Sequence, residues 1–214
     1  MTIVGVVLAG GLSRRMGGGD KALKILAGKT ILERVIARAK PQVTALVLNA
    51  NGDASRFATY GLPVAADSVA GFAGPLAGVL AGLDWAVKSI PGARYVASFA
   101  TDAPFFPTDL VKLLSDAVAD GKHDLACAAS NGREHPVFGL WPVNLREDLR
   151  QALAGGTRKV DIWTARHRLV RVEFPAQPYD PFFNVNSPED LAEAEKITPL
   201  ADRPSPIRAA PRRY

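Results

Sequence analysis

The chain has 214 residues, 48% of them hydrophobic and 22% charged, a length and balance suited to one domain with a large buried core. Its formal net charge of +5 is modest, Arg203, Arg208, Arg212 and Arg213 crowd the last dozen residues, and no basic stripe is interleaved with aromatics. Nucleic acid is therefore excluded as the expected partner, and a basic pocket for small anions is the better use of the charge. No apolar run reaches bilayer-spanning length, and the chain passes straight into a strand without the charged and apolar regions of a signal peptide. No membrane partner and a cytoplasmic location are expected.

Thr2–Ala9 is a short apolar run rich in β-branched residues and reads as a buried strand. Gly10–Lys21 follows, a glycine-rich loop with adjacent Arg14 and Arg15 and an Asp20-Lys21 pair. Glycines let backbone N–H groups approach a ligand closely, and Arg and Lys add charge-assisted bonds to phosphate oxygens. The loop is a candidate triphosphate cradle, or else a solvent-exposed turn carrying a few cations. The dinucleotide fingerprint does not fit, because Leu12 stands where its second glycine belongs. Gly28-Lys29-Thr30 imitates the end of a P-loop, but that motif's first glycine would fall at Leu23, so it reads as a turn entering a helix.

Thr30-Ile31-Leu32-Glu33 has a capping-box pattern and starts a helix to about Lys40, where Pro41 ends it. Val43–Leu48 is a second strand, ending in Asn49-Ala50-Asn51-Gly52. A short helix at Ala54–Thr59 leads to a third strand, Leu62–Ala65, and then Asp67. This alternation predicts a parallel sheet with right-handed crossovers. Val69–Gly78 is a loop opening a helix to about Ser89, with Pro75 in its first turn. Tyr95–Ala100 is the fourth strand, with Thr101-Asp102-Ala103-Pro104 at its C-terminal end and a helix after Pro107. Ligands of open α/β sheets sit at the C-terminal strand ends, so the cradle and Asp102 should share one edge.

Asp124–Ala129 and Pro136–Trp141 read as strands around an Asn131-Gly132 turn, the expected exception to parallel order. The lone Cys127 lies in the first of them and reads as a small buried hydrophobe. Helices are expected at Val143–Ala154 and Arg158–Ala165, a strand at Leu169–Phe174, and a helix from Ser187-Pro188-Glu189-Asp190 to about Lys196. The expected domain is 1–197, and 198–214 lacks apolar periodicity and reads as a disordered basic tail.

The string LAGGLSRRMGGGDKAL, residues 8–23, resembles the signature G-G-x-S-x-R-M-G…D-K of the molybdenum cofactor guanylyltransferases, relatives of the sugar-nucleotide transferases. Thr101-Asp102-Ala103-Pro104, Glu134-His135-Pro136 and Asn184-Val185-Asn186-Ser187-Pro188-Glu189-Asp190-Leu191 match the family pattern in order, and the resemblance covers roughly residues 3 to 196. It implies a three-layer α/β/α sandwich with a mostly parallel, doubly wound sheet, like that of the nucleotide-diphospho-sugar transferases. It also implies transfer of GMP from GTP to the phosphate of Mo-molybdopterin. It places Leu8, Ala9, Gly10, Lys21, Asn49, Asp67 and Asp102 at GTP-binding positions and Gly74-Pro75-Leu76 against the guanine. Partners beyond the two substrates would be molybdopterin-insertion proteins and apo-molybdoenzymes.

Within that family the candidate chemistry is concrete. Asp102 is the candidate Mg²⁺ ligand, since Mg²⁺ needs few carboxylates beside phosphates and water; otherwise it is a turn aspartate before a proline. Arg15 and Lys21 are the cations suited to the α-phosphate and departing pyrophosphate, with Arg14 read as solvated. Asp20 either orients Lys21 or caps the loop. Asn49 and Asp67 end strands where a base or ribose would sit, and a carboxylate can accept from both N1–H and the exocyclic amine of guanine. His135 is either a hydrogen-bonded structural residue or, with Arg133, a neighbour of the pterin. Asn184 and Asn186 either help hold metal or phosphate or turn and cap the last helix. Trp141 and Trp163 either stack on the pterin or pack the core. The competing readings are a cytidylyltransferase on the same pterin, against which Gly74-Pro75-Leu76 speaks together with Gly10, where cytidylyl relatives carry Leu-Ala-Ala-Gly in place of Leu8-Ala9-Gly10-Gly11, and a non-catalytic nucleotide- or pterin-binding accessory protein.

Overall fold

The computed structural model describes residues 1–10, 20–69 and 74–203. Arg14, Arg15 and most of the cradle's glycines lie outside the described residues, as do residues 70–73 and 204–214.

Strand β1 (Ile3–Leu8) lies inside a seven-stranded sheet. A two-residue ribbon, β2 (Ile25–Leu26) and β3 (Lys29–Thr30), turns through Ala27 and Gly28, both at positive φ. It delivers the chain to helix α1 (Ile31–Ala39), whose N-cap Thr30 forms a complete capping box with Glu33. The Gly-Lys-Thr triplet is thus a turn into a helix, as its context indicates. Strand β4 (Ala45–Asn49), a 3₁₀ turn at Ala54–Tyr60 and the short β5 (Val64–Ala65) follow. Then come α2 (Pro75–Ser89), β6 (Tyr95–Ala100) and α3 (Leu110–Val118). The second half contains β7 (Leu125–Ser130), β8 (Arg133–Pro142), α4 (Arg146–Ala154), α5 (Val160–Thr164), β9 (Leu169–Glu173) and α6 (Pro188–Ala201).

The strand order is β5-β4-β1-β6-β8-β7-β9, and among the described residues β8 is the strand that runs against the rest. Side-chain alternation sorts the buried residues into two layers. Ile3, Val7, Leu46, Leu48, Ala97 and Phe99 face α1 and α3, whereas Val4, Val6, Val47 and Val96 face α2, α4 and α5. The result is the α/β/α sandwich that the resemblance implies. No helix among the described residues is long and apolar enough to cross a membrane.

Two details depart from the sequence reading, and a third decides between alternatives it left open. β8 begins at Arg133 rather than Pro136 and carries a bulge. Cys127 pairs with Gly139 but Ala128 pairs with His135, so Pro136, Val137 and Phe138 are looped out of the ladder. Proline has no N–H to give the ladder, which makes it suited to such a break. Buried Ser98 satisfies the bulge: its Oγ donates to Val137 O (2.5 Å) and accepts from Gly139 N (3.3 Å) and Trp141 Nε1 (2.7 Å).

Second, α6 continues past Lys196 to Ala201, with Pro199 inside it, so residues 198–201 are helical. Ile197 and Ala201 pack with Leu26 and Ile31, and Thr198 Oγ1 donates to Ala194 O at 2.9 Å. Two arginines of α1 clasp its end: Arg34 pairs with Asp202 at 3.1 Å, and Arg38 donates to Ala201 O at 2.5 Å. Small residues and distant arginines do this, which apolar periodicity does not report. Third, Trp141 and Trp163 are buried beside each other in the α2/α4 layer, with ring centroids 5.9 Å apart. They are core residues and offer no face to a pterin.

Candidate active site at the strand ends

Strands β1, β4 and β6 end together, and short bonds lock their ends. Ala9 N donates to Asn49 O (2.9 Å), and Thr101 Oγ1 donates to Leu8 O (3.0 Å). The chain after β6 therefore leaves at Asp102, beside the point where β1 opens into the glycine-rich loop. Lys21, just after that loop, reaches the same place. Its Nζ lies 3.3 Å from Asp102 Oδ2 and donates to Asn186 Oδ1 as well. The lysine side chain is 12% exposed and the aspartate 37% exposed, so the pair sits at the mouth of the site.

Asn186 arrives from far along the chain. The segment after β9 returns across the strand ends, where Val185 N donates to Asp102 O at 2.7 Å. Ser187 is the N-cap of α6 and Asp190 completes its capping box, also accepting from Asn186 N at 2.9 Å. The backbone of Asn186 joins the helix cap while its amide oxygen accepts from Lys21. Asp20 does not orient Lys21; its carboxylate pairs with Arg56 Nε at 3.1 Å.

A second polar group lies one strand further out. Buried Asn49 donates from Nδ2 to Asp67 Oδ1 (2.9 Å) and to Ala65 O (3.2 Å). Asn51 donates to the other carboxylate oxygen of Asp67 (2.8 Å) and accepts from Asp67 N (2.9 Å). The Asp67 carboxylate is thus fixed in orientation while each oxygen keeps a lone pair for a ligand. Helix α2 starts above this group, with Gly74 at φ 145° and Pro75 as its first residue. It packs this close because Gly78 has no side chain: a Cβ there would collide with Asn49 and lie 2.7 Å from Leu8 Cδ2.

The sequence profile of the MobA-like NTP transferase domain matches residues 5–170. A Bradyrhizobium protein named molybdenum cofactor guanylyltransferase is 56% identical over 202 residues, covering 94% of this chain and 95% of its own. One of the same name from Rhodopseudomonas palustris is 59% identical over 193 residues, covering 90% and 92%. The chain belongs to the molybdenum cofactor guanylyltransferases. The fold agrees: the molybdopterin-guanine dinucleotide biosynthesis protein A of Archaeoglobus fulgidus superposes with a TM-score of 0.73 at 24% identity, covering 92% of this chain and 99% of that one.

As in any member of this guanylyltransferase family, the donor must meet an acceptor, and a second polar cluster lines the same edge at β7 and β8. His135 Nε2 and Ser130 Oγ are 2.7 Å apart, Ser130 Oγ donates to Asp180 Oδ1 (2.9 Å), and the imidazole stacks on Phe182 at 4.5 Å. Ser130 has one proton, which it gives to Asp180, so His135 carries its proton on Nε2 and donates. Burial pushes the imidazole below its ordinary value, with nearby Asp180 opposing. The ring is thus stacked on Phe182 and hydrogen-bonded through Nε2. Cys127 is inert, its thiol pushed up to about 12 by burial.

Asn51, Arg56, Ser130 and Asp180 were not singled out by sequence. Asn51 had a weak signal, as a second asparagine two residues after Asn49 at a strand end. Arg56 in a 3₁₀ turn, Ser130 at the end of β7 and Asp180 in a loop carry no such signal until the fold assembles them.

Proposed function

We propose that this guanylyltransferase uses Lys21, Asp102 and Asn186 on the phosphates and Asp67 on the base to transfer GMP from GTP to the phosphate of Mo-molybdopterin. The observation that carries the reading is the convergence of Lys21 Nζ, Asp102 and Asn186 on the edge that also holds the Asp67 carboxylate between two asparagines. A clamped carboxylate offers two acceptors to guanine N1–H and its 2-amine. Cytosine presents a single donor on that edge, so the same geometry disfavours CTP.

Asp102 and Asn186 present two oxygens toward one cationic point. That donor set suits Mg²⁺, which takes one or two protein oxygens beside phosphates and water. When bound, the cation would supply charge neutralisation at the phosphates. Lys21 would turn from Asp102 toward the triphosphate and stabilise the charge that develops on pyrophosphate. Arg15, outside the described residues, is assigned the α-phosphate. The acceptor phosphate is already anionic; its oxygen bonds to the α-phosphorus as the α–β bond breaks. No general base is needed, and positioning with charge stabilisation carries the rate.

The test is pyrophosphate release from Mo-molybdopterin with GTP, CTP, ATP or UTP, in wild type and Asp102→Ala. GTP-selective turnover that falls by about a thousandfold in the variant is the expected result. Turnover with CTP would move the protein to the cytidylyl reading, and nucleotide binding without turnover would make it an accessory protein.

A further inference from the structure

Arg56 touches neither the lysine nor the carboxylate assigned to GTP, yet it contacts the chain neighbour of the first and a hydrogen-bond partner of the second. Its Nε lies 3.1 Å from Asp20 Oδ2, and its Nη2 donates to Asn51 O at 2.7 Å. Its guanidinium carbon sits 4.8 Å above the ring of Phe57, a fully buried residue that fixes the arginine from below. Asp20 precedes Lys21 in the chain, and Asn51 grips Asp67. A continuous path therefore runs from the phosphate lysine to the base-reading carboxylate through the contacts of Arg56 with Asp20 and Asn51.

The charges explain why an arginine is needed. The Asp20 carboxylate is only 9% exposed and stands next to the site where a triphosphate must settle. Unpaired, it would repel the ligand and carry a desolvation cost of its own. A guanidinium neutralises it and still has a second nitrogen for the Asn51 carbonyl, which a lysine's single ammonium does not provide in that geometry.

We propose that Arg56 is a positioning residue that couples the triphosphate half of the site to the base half. The proposal rests on the assignment of GTP to this site. In Arg56→Met, the KM for GTP rises by about tenfold or more while kcat changes less than about threefold, because ground-state binding is what is lost. Asp20→Asn/Arg56→Met removes the stranded charge and recovers part of that loss. Arg56→Lys recovers affinity for pyrophosphate but not the link to Asn51.

Calorimetry of guanosine and of pyrophosphate, each with and without the other and with Mg²⁺ throughout, reads the coupling directly. In wild type each ligand tightens the other by about threefold or more, and in Arg56→Met and Arg56→Lys the two bind independently. A folded Arg56→Met with unchanged KM, or a wild type in which the two ligands bind independently, overturns the proposal. A wild type that binds neither GTP nor guanosine instead overturns the functional reading beneath it.

Discussion

At the scale of single residues, the site is built from side chains that spend their hydrogen bonds on one another. Asn51 bonds both to the carboxylate and to the backbone N–H of Asp67, so that carboxylate has no freedom to rotate. His135 shows the same economy. Its imidazole is stacked on Phe182, bonded to Ser130 and faced by Asp180, Arg133 and Glu173, and burial holds it below its ordinary value of 6.5. The unfolded chain takes up a proton near that ordinary value while the folded ring stays neutral. Stability therefore falls as pH drops below about 6.5, until the lowered folded value is reached. Thermal melts from pH 8 to 5 should show this decline in wild type and a flatter profile in His135→Phe, which keeps the stack. Parallel profiles would mean that the ring is not held neutral.

At the scale of elements, contacts between helices and strand ends decide the site's shape. Gly78 and Gly82 both lie where α2 crosses the sheet, but a Cβ at Gly78 meets Asn49 whereas one at Gly82 meets Val6 at 2.8 Å. Each Gly→Ala change costs about 1–3 kcal/mol of overpacking, partly offset by better helix propensity. Gly78→Ala should also raise the KM for GTP by displacing Asn49 from Asp67, while Gly82→Ala lowers Tm alone. Equal effects on KM would deny that α2 seats Asn49. The end of α6 gives a second case. Truncation after Ile197 removes Asp202 and the Ala201 carbonyl, leaving the 8%-exposed Arg34 without its ion-pair partner. Relative to truncation after Arg203, it should cost about 1–3 kcal/mol by chemical denaturation. Identical midpoints would show that the clasp of α1 on α6 contributes nothing.

At the scale of the whole molecule, what the sequence revealed was local chemistry, and what it hid was distance. The capping boxes at Thr30 and Ser187, the Asn131-Gly132 turn and the alternation of β and α segments all depend on neighbours in the chain, and each is where its residues indicate. The Lys21–Asp102, Arg56–Asp20 and Arg34–Asp202 pairs join residues far apart, and no periodicity announces them. The bulge at Pro136–Phe138 is settled by Ser98 on another strand, and the last turn of α6 by arginines on α1. For the site, family motifs indicated Lys21, Asn49, Asp67 and Asp102, whereas Asn51 and Arg56 emerged only when the fold closed. Trp141 and Trp163 were ambiguous because composition does not distinguish a stacking platform from a core residue.

The reversed strand β8 divides the labour of the sheet, and with it the ways the enzyme can diverge. The residues we assign to GTP lie at the ends of β5, β4, β1 and β6, while β7 and β8 reach the same edge through a hairpin tip. A tip can gain or lose residues without moving the pairing behind it, because the insertion extends into solvent. Residues 130–133 could thus be remodelled while the strands behind them, and the residues we assign to GTP, stayed in place.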